Sequence, residues 1–178
     1  MSSWRPGDRR PDPASMLRVN QAGEYGATRI YAGQLAVLRR NCPESKLISR
    51  MASQEERHLK RFNALMAERR VRPTLLQPVW SVAGFALGAA TALMSEEAAM
   101  ACTDAVETEI DKHYASQLTD LRDDDPELAG DIAEFQAEEL EHRDIAREAG
   151  AANAIGYPLL TAAIRAGCRV AIALSKRV

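Results

Sequence analysis

Two Glu-x-x-His steps, Glu55 with His58 and Glu139 with His142, and two further acids, Glu24 and Glu107, are the residues of this chain best placed to do chemistry together. A three-residue step on a helix sets a carboxylate beside an imidazole on one face. The set repeats internally: Glu24 and Glu107 stand 83 positions apart, Glu55 and Glu139 84, and His58 and His142 84. Two helix pairs supplying equivalent groups is the plan this spacing implies. Unpaired burial of one ionised carboxylate costs several kcal/mol, and four close together repel one another. Two divalent cations would set +4 against −4, with both histidines as neutral nitrogen ligands. Mixed carboxylate and imidazole ligation suits iron or manganese better than zinc, which takes fewer ligands, or magnesium and calcium, which take oxygen. Two iron ions are therefore expected, with manganese as the alternative.

Each acid lies in an otherwise apolar helical stripe. Leu17, Glu24, Tyr31 and Leu38 recur every seven residues; Ile48, Met51, Glu55, His58, Phe62 and Leu65 share a second face. Met100, Thr103, Glu107, Ile110, Tyr114 and Leu121 form a third, and Leu128, Ile132, Phe135, Glu139, His142 and Ala146 a fourth. Glu56 and Glu138 lie one position off their stripes, and Glu109 with His113 forms a competing i, i+4 pair off the third. His113 and Tyr114 are candidates for a substrate pocket or for supporting the ligands.

Four stripes require four long helices, and the punctuation supplies them. The first is expected from Asp12 as N-cap and Pro13 to about Asn41 and Cys42, the second from Pro43 to Arg70. Ser95, followed by Glu96 and Glu97, opens the third, which reaches about Arg122. Asp125 and Pro126 open the fourth, which stops at Gly150, and a last helix is expected from Pro158 to Lys176. No segment alternates with period two, so no sheet is expected. The fold class is all-α, a ferritin-like four-helix bundle with a long apolar crossover between the second and third helices and an additional C-terminal helix; the ligand inventory belongs to di-iron or di-manganese members of that class.

The crossover, residues 73–95, carries no charge, and its Gly84 and Gly88 form a small-residue step that admits a close neighbour. Gly23, Gly26 and Gly33 in the first helix likewise imply that a flat ring or a neighbouring helix comes near Glu24. Segments 74–95 and 155–177 are expected to interact with membrane, the second placing Arg165, Arg169, Lys176 and Arg177 at anionic headgroups. Residues 1–13 read as a tail and 14–178 as one domain. A net charge of −2 gives no footprint for nucleic acid. Cys42, Cys102 and Cys168, an odd and scattered set, read as reduced thiols.

The stretches AGEYGATRIYAGQLAVL, QEERHLKRFNAL, RVRPTLLQPVW, GFALGAATAL, AMACTDAVETEI and EELEHRDIA together resemble the demethoxyubiquinone hydroxylase family of ubiquinone biosynthesis over about residues 16–178. The resemblance implies a di-iron monooxygenase that uses O2 to hydroxylate the ring of a polyprenylated benzoquinone (2-polyprenyl-3-methyl-6-methoxy-1,4-benzoquinone). It implies ligands at Glu24, Glu55, His58, Glu107, Glu139 and His142, with Glu55 and Glu139 bridging. Asn20 and Gln21 stand where relatives often have Asp and His. No GxGxxG follows a strand, so NADH is expected to bind transiently or to act through a reductase. Further expectations are a peripheral place at the cytoplasmic face of a bacterial inner membrane, a homo-oligomer or complex, and a lipid-presenting or ubiquinone-biosynthesis partner protein. A rubrerythrin-like peroxidase or ferroxidase, and a metal-free membrane-associated scaffold, are the competing readings.

Overall fold

The start signals act as caps. In the computed structural model, which describes residues 11–40, 42–121 and 124–177, the Asp12 carboxylate accepts the Ser15 backbone N–H at 3.0 Å and Asp125 accepts that of Leu128 at 3.1 Å. The Ser95 hydroxyl accepts the N–H of Ala98 at 3.0 Å. Each bond satisfies a donor that a helix start leaves free. The helices are α1 Pro13–Val37, α2 Pro43–Glu68, α3 Gln77–Met94, α4 Glu96–Leu121, α5 Pro126–Glu148 and α6 Tyr157–Ser175, with a 3-10 turn at Ala151–Asn153. No strand occurs among the described residues.

The first helix is shorter than expected. Leu38 turns extended at ψ 145° and inserts into the core, so α1 ends at Val37 and not near Asn41 and Cys42; Asn41 lies outside the described residues, as does the expected end at Arg122 and most of the tail. α2 closes two residues before Arg70, which takes a left-handed φ of 54° while the Val71 N–H bonds back to the Met66 carbonyl at 2.9 Å.

α1, α2, α4 and α5 form the bundle, and α1 runs antiparallel to both α2 and α4. Two apolar plugs close its ends. One gathers Tyr31, Ile48, Met51, Met100 and Ala146; the other gathers Leu17, Phe62, Leu65, Tyr114, Leu128 and Phe135. The outer seam between α2 and α5 is laced by Arg50 to Glu141 at 2.8 Å, Arg61 to Asp131 at 2.7 Å and Arg69 to Glu127 at 2.8 Å. Such exposed pairs set register more than stability.

The two remaining helices occupy equivalent places: α3 follows α2 and packs on α1, and α6 follows α5 and packs on α4. The chain is thus two successive three-helix units. The α1–α3 contact is unusually close, as the Gly84 and Gly88 step foretold: a Cβ on Gly88 would stand 2.8 Å from the Ile30 carbonyl carbon, and one on Gly33 2.8 Å from the Ala89 nitrogen. Gly23 and Gly26 differ, because a Cβ at either meets nothing within 4 Å. The expectation for the α1 glycines therefore divides: Gly33 admits a helix, and the other two face open space. α6 is tied in by the buried Asp104 of α4, which accepts from Arg147 Nε at 2.7 Å and from the Tyr157 hydroxyl, with Arg165 at 3.7 Å. Val79, Val82, Leu93 and Met94 of α3, and Leu159, Val170 and Leu174 of α6, remain exposed. α6 is the one helix among the described residues long and apolar enough to cross a membrane.

Candidate metal centre

The four bundle helices bring their acids to one level, between the two apolar plugs. Glu24, Glu55, His58, Glu107, Glu139 and His142 are all 1% exposed or less. One atom from each of Glu24, Glu55, His58 and Glu139 lies within 4.8 Å of the rest, and the same holds for Glu55, Glu107, Glu139 and His142. The two groups share Glu55 and Glu139. Both imidazoles turn Nδ1 inward: that of His58 is 3.4 Å from Glu24 and 3.2 Å from Glu139, and that of His142 is 3.1 Å from Glu55 and from Glu139.

Glu24 Oε2, both oxygens of Glu55, Glu107 Oε2, Glu139 Oε1 and His58 Nδ1 are buried without a hydrogen-bond partner. Folded interiors rarely leave such atoms unsatisfied. Two overlapping sets of hard oxygen donors, each with one imidazole nitrogen, fit a pair of first-row divalent ions. The electrostatics agree, since burial, reinforced by Glu139, lifts the Glu55 and Glu107 carboxyls well above their ordinary range. Burial also pushes Glu139 up, but the two imidazoles beside it, His142 and His58, outweigh it and hold this carboxyl down at about 2. For His58 burial alone would favour loss of the proton, yet Glu139 and Glu24 raise its pKa to about 10. A cluster that keeps protons this firmly is one short of cations.

Two tyrosines complete the layer. Tyr31 donates from its hydroxyl to Glu107 Oε1 at 2.6 Å, and Tyr114 donates to Glu24 Oε1. Each bond uses the outer carboxylate oxygen and leaves Oε2 facing inward. Burial, then the nearby glutamates, drives both tyrosine pKa values well up, so the hydroxyls stay protonated donors. Beyond them, Gln117 and Asn20 exchange two amide hydrogen bonds of 2.7 and 2.8 Å, and Gln34 reaches Thr103 Oγ at 3.5 Å.

His113 lies away from the centre. It lines a cavity of about 740 Å³ with Lys112, Gln117, Arg169 and Lys176, and its Nε2 is 2.8 Å from Gln117 Nε2. Gln117 presents its amide nitrogen, a donor only, so His113 accepts there, as a neutral ring. Burial, then Lys176, brings its pKa down to about 4. Of the neighbouring acids, Glu56 is exposed and Glu109 pairs with Lys112 at 2.9 Å and Arg169 at 3.3 Å. Glu138 touches a candidate ligand, standing 3.1 Å from His58 Nε2. Tyr31, Gln34, Gln54 and Glu138 escaped the sequence reading as site residues, although an offset of 83 relates Tyr31 to Tyr114 and Gln34 to Gln117, and 84 relates Gln54 to Glu138.

Known proteins resemble this chain over almost its whole length. The model of the family described as Ubiquinone biosynthesis protein COQ7 matches residues 12–175. The 3-demethoxyubiquinol 3-hydroxylase of Rhodospirillum rubrum is 54% identical, covering 97% of this chain and 82% of that protein. The human mitochondrial NADPH-dependent 3-demethoxyubiquinone 3-hydroxylase is 53% identical over 92% of this chain and 76% of its own length. The mitochondrial 5-demethoxyubiquinone hydroxylase of Saccharomyces cerevisiae is 42% identical, with 92% and 77% covered. A helical bundle with this buried layer, matched over residues 12–175 and at such identities, belongs to the COQ7 family of ubiquinone biosynthesis proteins.

Proposed function

We propose that this chain is the O2-dependent hydroxylase of a demethoxyubiquinone, and that its centre holds two iron ions. The reaction replaces one ring C–H by C–OH; the second oxygen atom leaves as water and takes up two electrons and two protons. A reduced iron pair supplies those electrons to dioxygen. Everything else falls to the chain. Glu24, Glu55, His58 and Glu139 would hold one ion, and Glu55, Glu107, Glu139 and His142 the other. Tyr114 and Tyr31 fix the rotamers of the two unshared acids by donating hydrogen bonds to their outer oxygens. The apolar plugs exclude water, which strengthens every charge interaction between them. The exposed apolar faces of α3 and α6 suit the substrate's prenyl tail. With Arg169 and Lys176 near the end of α6, they favour a peripheral position on the cytoplasmic face of a bacterial inner membrane. The human relative's name favours NADPH, beside the NADH expected from the resemblance, as the source of electrons.

One observation carries the reading: two imidazole-bearing donor sets with orphaned inward atoms, in a member of this family. Metal-free protein should take up two Fe(II) per chain anaerobically. With reductant, O2 and a short-chain demethoxyquinone it should yield product heavier by one oxygen, labelled from 18O2. Product without bound metal, or unlabelled product, overturns the proposal.

A further inference from the structure

Behind the two histidines the internal repeat is broken. Glu138 of α5 backs His58, with its Oε2 3.1 Å from Nε2. Its counterpart 84 residues earlier is Gln54 of α2, which backs His142 with Oε1 3.1 Å from Nε2. A carboxylate thus stands behind one imidazole where a neutral amide stands behind the other. The two are also joined, since Gln54 Nε2 donates to Glu138 Oε2 at 3.2 Å, and Arg57 binds the same oxygen.

This chain of bonds has one sense. Glu138 can only accept, so Gln54 must donate to it and turn its carbonyl toward His142; His142 must then donate from Nε2. His58 likewise donates from Nε2 to Glu138. With metal bound, both histidines would offer their Nδ1 lone pairs to the centre, and one acid sets both tautomers. A bond to an ionised acceptor is roughly twice as strong as one to a neutral acceptor and makes the opposite nitrogen the better donor.

We infer that Glu138, acting through Gln54 on one side, positions both histidines and makes the two metal positions unequal, so that the ion beside His58 binds first and more tightly than the ion beside His142. This rests on the two-metal reading of the centre. The chain has only three histidines, so 15N-histidine NMR resolves the question residue by residue. The probe is Zn(II), a redox-silent ion, added to metal-free protein. Before addition, His142 should report the Nε2–H tautomer. At one equivalent the Nδ1 signal of His58 should move, and that of His142 only with the second equivalent. Glu138→Gln should weaken the first step about 10–100-fold and merge the two. The reciprocal Gln54→Glu/Glu138→Gln variant keeps the bridge with its sense reversed, guards against simple misfolding, and should reverse the order. His142 moving first, both moving together in the parent protein, or an unchanged order in the reciprocal variant overturns the inference while leaving the metal centre standing. Movement of neither histidine would remove the centre itself.

Discussion

Replacing Gly88 by alanine tests the contact that seats α3 on α1. The new methyl would lie 2.8 Å from the Ile30 carbonyl carbon and nearer still to its oxygen, where ordinary contact begins at 3.4 Å, so the helices must part by more than the 0.6 Å difference. The obstacle is backbone, which cannot swing aside as a side chain would. Overpacking of this kind costs about 1–3 kcal/mol, and the gain in helix propensity returns about 1. Because the obstacle is backbone the upper end of that range applies, and a net loss of up to about 2 kcal/mol lowers the melting temperature of a chain this size by up to roughly 4–8 °C. Gly23→Ala, with open space around it, should instead raise the melting temperature by about 2–4 °C. Gly33→Ala presses the same interface at 2.8 Å from the Ala89 nitrogen, so the double Gly33→Ala/Gly88→Ala variant should lose less than the sum of its parts. Differential scanning calorimetry of the four variants decides it. A Gly88→Ala melting temperature at or above the parent value, or equal to that of Gly23→Ala, refutes the argument.

Other tests address charge. The raised carboxyls of Glu55 and Glu107 make metal-free protein most stable while they are protonated, so its stability should fall as pH rises above their unfolded value of 4.5. His58 adds to the fall, since its contribution is complete below 6.5 and lost as pH rises through about 10. Metal-loaded protein should show the opposite slope, because ligands must shed protons to bind; urea midpoints between pH 5 and 9 that rise with pH in both forms would contradict this. His113 stabilises above 6.5 and loses that contribution as pH falls through about 4, at most about 3 kcal/mol before its partial exposure is discounted, and His113→Asn should flatten this limb of the urea profile. Asp104→Leu should cost about 2 kcal/mol, moderated because Arg147 can turn to water, and should open the 151–156 segment to limited proteolysis.

The buried cluster was legible because its six side chains had to lie on apolar stripes and because the repeat marked them twice. The caps at Asp12, Ser95 and Asp125 were legible for a local reason, as each bond spans three residues. The end of α1 was not: nothing in Leu38 to Arg40 disfavours helix, and only the core pocket that takes Leu38 turns the chain. Gln54 and Glu138 lie one position off their stripes, and their role depends on a neighbouring helix that no single-helix pattern describes. Likewise the separation of Tyr114, which touches Glu24, from His113, which faces a cavity, is a 100° turn of α4 resolved only by what surrounds it.

Each donor set draws three of its four side chains from one three-helix unit and the fourth from the other: Glu139 completes the first, Glu55 the second. Neither half therefore carries a complete set by itself. During synthesis the first set stays incomplete until Glu139 has left the ribosome, and the second until His142 has. On the two-metal reading, metal would be acquired late, by a nearly finished chain, and its arrival would clamp the two halves together.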